Sequence, residues 1–352
     1  MLILSADEIR RIYTMKDCLE DVEQAFRFYE EGKTVTPMRT SIDHPLMGAN
    51  TLYMPAYIEP IHYTAVKVVS IFPQNAEKGK NVLQGILLLT EASSGEHVAV
   101  MDASYLTVLR TGAVSGVATK YLARKDSEIC TVIGCGAQAV GQIQAMMEVR
   151  SLSAILLYNR TPSKAEELQK TIRKMYPNWK GTIEIAPDAN SAVHAADIVI
   201  CSTRSSTPVF DGSYLKKGTH INGIGSYQPH MQEVDLTTLK RSDKIVADTK
   251  EGVLHEAGDF LIPVREGTWS FDRLYGELGE IVTGKKKGRE HPNEITFCKS
   301  VGSAFLDTMV ASRIYQKAKQ LGIGTEVNFR PLIRNEKVNN QMNEAHSNRG
   351  AL

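Results

Sequence analysis

The stretch TVIGCGAQAVGQ, residues 131–142, constrains the fold more than any other part of the chain. It sets Gly134, Gly136 and Ala139 directly after an apolar run at 129–133 and before a segment of helical character. A strand that turns into a helix through G-x-G-x-x-A opens a dinucleotide-binding unit. Gly134 permits the tight turn, Gly136 lets the backbone approach a pyrophosphate, and Ala139 is small enough for the helix to pack on its strand. The helix N-terminus then offers N–H donors and a favourable dipole to the phosphates. Five further apolar runs follow at 154–158, 183–186, 197–202, 220–224 and 244–248, separated by polar, helix-like segments. In one of these Thr161 is placed to cap and Pro162 to occupy the first turn. Six such runs with crossovers predict an α/β chain with a Rossmann-type, doubly wound parallel sheet over 126–302.

The first third reads differently. Leu19, Val22, Ala25, Phe26 and Tyr29 recur at helical spacing. Extended runs follow at 86–91 and 97–102, with Gly95 suited to the hairpin turn between them. A helix over 104–123 leads into the nucleotide-binding part. Another over 304–321, stopped by Gly322, is expected to pack back on the first module. An α+β domain of residues 1–125 with 303–329 results. The polar segment 330–352 reads as a disordered tail.

Lys+Arg 41 against Asp+Glu 40 leaves a net charge of +1, so no global field recruits nucleic acid or an anionic membrane. A small-molecule partner is expected. The five cysteines are scattered with no CxxC pair, which argues against a disulfide framework or a metal site and fits a reducing cytoplasm. The start, MLILSADEIRR, does not read as a signal peptide, and no apolar run approaches a membrane span.

The end of the second strand of the nucleotide unit reads Leu157-Tyr-Asn-Arg-Thr-Pro-Ser-Lys164. Asn159 stands where a site specific for NAD would carry an acid, and it cannot repel a 2′-phosphate. Arg160 beside it can pair with one, and Thr161 and Lys164 add a donor and a charge. NADP(H) is therefore the preferred expectation, with NAD(H) possible.

Four segments together resemble the ornithine cyclodeaminase/mu-crystallin family: VLRTGAVS at 108–115, VIGCGAQ at 132–138, HINGIG at 220–225 and SVG at 300–302. The resemblance spans roughly residues 1–329. It implies a two-domain homodimer that binds NAD(P) and handles α-amino or α-imino acids, with the α+β domain binding substrate and forming the dimer. It assigns Arg39 to the substrate carboxylate, a task suited to a guanidinium fork. Lys67 falls near the reacting carbon as proton donor and acceptor, its pKa expected to be lowered by Arg39, and Arg110 lies between cofactor and substrate. Thr111, Gly134, Gly136, Ala137, Gln138, Thr203, Gly225, Ser226 and Ser300 are implied cofactor neighbours, with Val301 and Gly302 around the nicotinamide. Asp307 matches the family pattern either with a role at the site or as a structural salt bridge.

Two departures separate the chain from ornithine cyclisation. Leu52, in Leu52-Tyr-Met-Pro55, stands where the cyclodeaminases place a substrate-binding glutamate, and Tyr227 stands where they place a proton-carrying aspartate. Leu52 and Met54 suit an apolar wall for an unsubstituted ring. The run Gly225-Ser-Tyr-Gln-Pro-His-Met-Gln-Glu233 is similar to the ketimine-reducing branch, the bacterial 1-pyrroline-2-carboxylate reductases. The expected activity is therefore reduction of a cyclic ketimine, 1-pyrroline-2-carboxylate to L-proline. The alternatives are ornithine cyclodeaminase, an alanine- or opine-type amino acid dehydrogenase, and a crystallin-like binding protein.

Overall fold

In the computed structural model, which describes residues 1–328, the chain begins with strand β1 (Leu2–Leu4) and two helices, α1 (Ala6–Ile12) and α2 (Met15–Glu30). Both helices open with reciprocal capping boxes, Ser5 with Glu8 and Thr14 with Asp17, so their first N–H groups are satisfied locally. Strands β2 (Thr34–Val35), β3 (Thr40–His44), β4 (Ala49–Ile58), β5 (Tyr63–Ile71), β6 (Leu83–Glu91) and β7 (His97–Asp102) follow. Gly95, at φ 74°, turns the chain between the last two. The sheet runs β1-β7-β6-β5-β4-β2, with β3 also on β4. Strands β4 to β7 are antiparallel neighbours, whereas β1 lies parallel to β7. The inward face of β4 is apolar: Leu52, Met54, Ala56 and Ile58 are buried. On β5 the same alternation buries Ala65, Lys67 and Val69, which puts a lysine where the pleat demands an apolar residue.

Helix α3 (Ala103–Leu122) leads out of this sheet, capped by Asp102. It enters the second sheet through β8 (Ile129–Ile133), followed by α4 (Ala139–Val149), β9 (Ala154–Tyr158), α5 (Pro162–Met175), β10 (Thr182–Ile185), α6 (Ala189–Ala195), β11 (Ile198–Cys201), β12 (His220–Gly223), α7 (Leu236–Arg241), β13 (Lys244–Ala247), α8 (Lys250–Glu256), α9 (Gly258–Arg265), β14 (Gly276–Glu277), α10 (Leu278–Val282) and β15 (Thr296–Lys299). The strand order is β10-β9-β8-β11-β12-β15-β13-β14, and every pair is parallel. This is the expected Rossmann-type sheet, with two strands the sequence did not announce: the short β14 at its edge and β15 within it. Four residues, Thr296–Lys299, leave an otherwise irregular stretch and insert between β12 and β13. Pro162 occupies the first turn of α5 as expected, but the Thr161 side chain makes no capping bond, because it points out to solvent.

Helix α11 (Ala304–Leu321) ends at Gly322 in the left-handed conformation, and β16 (Thr325–Glu326) pairs back on β1. As expected, α11 packs on α2, β4 and β5, and Phe305 meets Phe26 edge-on and stacks on Tyr29. The polar tail predicted at 330–352 lies outside the described residues. Among the described residues no helix is long and apolar enough to cross a membrane.

Helices α3 and α4 approach closely enough to bring backbone against backbone. A Cβ on Gly112 would stand 2.2 Å from the Gly141 carbonyl oxygen, and one on Gly141 would stand 2.4 Å from that of Val108. No other residue fits at either position.

Candidate active site

Three charged side chains meet where β5, α3 and α11 converge. Lys67 Nζ lies 2.7 Å from Asp307 Oδ2, and Arg110 Nε donates to Asp307 Oδ1 at 2.9 Å. Lys67 and Asp307 are each 1% exposed and Arg110 6%. Arg110 is further fixed by its Nη1, which donates to Thr111 Oγ1 at 2.7 Å. Burial, followed by the Arg110 charge, lowers the Lys67 pKa to about 7, against the opposing pull of Asp307. Arg39 lowers it too, as expected, but ranks behind burial and Arg110, which shares the Asp307 carboxylate with Lys67. Burial also works to raise Asp307, but Arg110 and Lys67 outweigh it and hold that carboxyl below the usual range. Of the two roles open for Asp307, the structure shows a buried salt bridge to both cations.

Beside this cluster a cleft opens between the two sheets, lined by Arg39, Met54, Tyr29, Gly252, Glu256 and Gly302 among others. Met54 sits directly across the ladder from Lys67. Leu52 is not among the residues that line the cleft, although like Met54 it belongs to the apolar core. Arg39 reaches in from the segment before β3, where Nε and Nη2 donate to the two carboxylate oxygens of Glu256 and Nη2 also approaches the Val301 carbonyl at 3.3 Å. Gly302, at φ 82°, brings its backbone against the Arg110 guanidinium, and a Cβ there would stand 2.9 Å from Nη1.

The Ser300–Gly302 turn hangs on Asp248, at the end of β13. Its Oδ2 accepts from Ser300 Oγ at 2.6 Å, Val301 N at 3.0 Å and Gly302 N at 2.8 Å. Glu233 does the same at the ends of β11 and β12, accepting from Thr203 N and Oγ1 at 2.5 and 2.8 Å, from Gly225 N at 2.7 Å and from Ser226 N at 3.0 Å. Behind it, Asp259 accepts from Ser226 Oγ and pairs with Lys299 at 2.8 Å. Tyr227 follows half-buried; burial pushes its phenol up, and Arg204 and Arg39 pull it back. Asp248, Glu233, Asp259, Lys299 and Glu256 were not singled out from the sequence. Each is a lone charge on a loop or element end; Asp248 closes the run at 244–248 and Glu233 the run at 225–233.

The glycine turn lies at the carboxyl end of β8. Gly134 adopts φ 96°, and a Cβ there would press on Ser202 and Thr203. Gly136 is different: a Cβ would meet nothing, so no protein contact requires its absence. Gly136 and Ala137 expose bare backbone just ahead of α4, and Gln138 occupies the N-cap position with its buried Oε1 unpartnered. Asn159 braces this turn, its Oδ1 accepting from Cys135 N at 3.0 Å and its Nδ2 donating to the Thr161 carbonyl at 2.9 Å. Arg160 is exposed and forms no ion pair among the described residues. Lys164 is exposed and pairs with Glu167 at 2.8 Å.

A family model for the ornithine cyclodeaminase/mu-crystallin family matches residues 1–322, and the chain belongs to this family. It is 38% identical over 329 residues to the Delta(1)-pyrroline-2-carboxylate reductase of Bacillus cereus, covering 94% of this chain and 100% of that protein. Among solved structures, the Thermococcus litoralis Delta(1)-pyrroline-2-carboxylate reductase in complex with NADH and L-proline superposes with a TM-score of 0.90 at 41% identity, over 93% of this chain and 100% of that one. An archaeal alanine dehydrogenase dimer with bound NAD gives a TM-score of 0.86 at 33% identity, over 94% and 99%.

Proposed function

We propose that this chain reduces a cyclic ketimine that carries a carboxylate, 1-pyrroline-2-carboxylate to L-proline, using a nicotinamide cofactor. The observation that carries the reading is the buried Lys67–Asp307–Arg110 cluster beside a cleft that also holds Arg39. The exposed backbone at Gly136 and Ala137, where a Cβ on Gly136 would meet nothing, fits a pyrophosphate-bearing ligand at the N-terminus of α4. When bound, the reduced nicotinamide supplies hydride to the imine carbon.

The protein's own residues do the rest. Arg39 holds the substrate carboxylate, and Arg110, locked by Asp307 and Thr111, orients the ring. Met54 gives the ring an apolar neighbour. Lys67, poised near neutrality, gives its ammonium proton to the ring nitrogen, which leaves a secondary amine once the carbon is reduced. Ser300, Val301, Gly302, Thr203, Gly225 and Ser226 would hold the nicotinamide, and Asp248 and Glu233 fix these loops from behind. Buried Leu52 offers no anion for a second substrate amine, which disfavours ornithine cyclisation. The deciding experiment follows NADPH and NADH oxidation with five- and six-membered cyclic imino acids, with ornithine and pyruvate plus ammonia alongside. Ammonia release from ornithine without added cofactor would reverse the assignment.

For the cofactor, Arg160 supports NADPH: it is exposed and has no ion pair among the described residues, and Asn159 puts no negative charge beside it. Replacing Arg160 with Ala is expected to raise KM for NADPH about ten- to hundredfold, the worth of one charge-assisted phosphate contact, and to leave KM for NADH unchanged. Equal effects on both would remove the phosphate role.

Residues 126–302 form the cofactor domain in this reading, and the remainder binds substrate and dimerises. Val35, Ile42, Leu46, Met47, Tyr53 and Ile86 are exposed on the first sheet and its β3–β4 connection, Leu46 at 93%. So many apolar side chains in one region need a cover. Light scattering should report twice the 38.9 kDa chain mass, falling to the monomer when Ile42 and Leu46 are replaced by Arg.

A further inference from the structure

Arg39 does not stand alone in the cleft, and its partner decides how it meets a substrate. A guanidinium has two bidentate edges, Nε with Nη2 and Nη1 with Nη2. Glu256 occupies the first, and the second hydrogen of Nη2 faces the Val301 carbonyl at 3.3 Å. Among the described residues Nη1 has no partner. Glu256 ends α8, is mostly buried, and comes from the parallel-sheet half, whereas Arg39 comes from the antiparallel half.

A substrate carboxylate has two routes to Arg39. It can expel Glu256 and take the Nε–Nη2 edge, or it can leave the pair intact and take the Nη1 side. Expulsion exchanges one carboxylate for another on the same edge and strands Glu256 in a mostly buried position, a loss that the exchange itself does not repay. The second route breaks nothing and satisfies the idle Nη1 donors.

We propose that Glu256 is a positioning residue that holds one edge of Arg39 and presents the Nη1 side to the carboxylate of the substrate. The inference rests on the reading of Arg39 given above. It also bears on substrate class: the Nη1 donors serve one carboxylate, and the Glu256 charge beside them repels a second acid. The cleft is therefore tuned to monocarboxylates.

The test compares wild type with Glu256→Gln and Glu256→Ala. Steady-state kinetics give KM for the imino acid and kcat, and calorimetry gives Kd for L-proline, for succinate and for NADH. The expected result is a KM and an L-proline Kd about tenfold higher, with kcat within about threefold, NADH affinity unchanged, and weaker discrimination against succinate. Tighter L-proline binding in either variant would show that Glu256 competes with the substrate and would overturn the proposal. Unchanged binding would overturn it too. If wild type reduces no cyclic imino acid but binds L-proline, and both variants weaken that binding, the catalytic reading falls and the role of Glu256 stands. A second variant guards against misfolding, since Ala removes the side chain and Gln keeps its shape.

Discussion

Exchange of Lys67 for Met is expected to lower kcat for ketimine reduction by about 10²–10⁴-fold, the range for loss of a positioned proton donor. The change is clean because Met fills nearly the same volume and Asp307 keeps Arg110 as its counter-ion at 2.9 Å. NADH affinity by fluorescence titration should not move. Turnover at the wild-type rate would remove Lys67 from the chemistry. The wild-type pH profile checks the same assignment. Burial and Arg110 bring the Lys67 pKa down to about 7. Its ammonium form is therefore present below that value and lost as the pH rises through it. Reduction should fall with rising pH across neutrality, and the reverse oxidation of L-proline, which needs the free amine, should rise. The Met variant should lose the limb that belongs to Lys67.

Replacement of Asp307 by Ala is expected to be the most damaging single change to stability. It leaves two cations buried with no shared anion, and breaking a buried ion pair from one side costs about 3–5 kcal/mol. Denaturant melts should show the midpoint falling accordingly. Adding Lys67→Met to Asp307→Ala removes one of the stranded charges, so the double variant should recover part of the loss and be more stable than Asp307→Ala alone. An Asp307→Ala protein that melts with wild type would mean that the cluster is solvated.

The parts of the fold that sequence revealed are those with a local period or a backbone requirement. The glycine turn, the strands at 129–133 and 154–158 and the helix at 304–321 are of this kind. Strand β15 was not legible: its four residues, TFCK, have no period, and their place between β12 and β13 depends on contacts distant in sequence. In the candidate site, Lys67, Arg110 and Asp307 were legible one at a time through family resemblance, but their meeting was not. The acids that hold the site loops, Asp248 and Glu233, ended recognised runs, but nothing local marked their task, since a carboxylate that accepts backbone N–H groups needs only to arrive there. Leu52 differs from these acids. Its alternation with Met54 puts both on one buried face of β4, and both belong to the core, but only Met54 also reaches the cleft. Glu277 and Glu280, for which sequence offered no task, close a capping box on α10, and Glu277 accepts from the Tyr29 hydroxyl.

The contact between Gly112 and Gly141 has a mechanical consequence. Gly112 follows Arg110 by two residues, and Gly141 follows the exposed turn at Gly136 by five. With no side chain between the two backbones, there is nothing compressible to absorb a shift. The span from the proposed phosphate anchor to the proposed substrate cluster is thus set by main-chain contact at this crossing, and a single added methyl group there would shift both ends together.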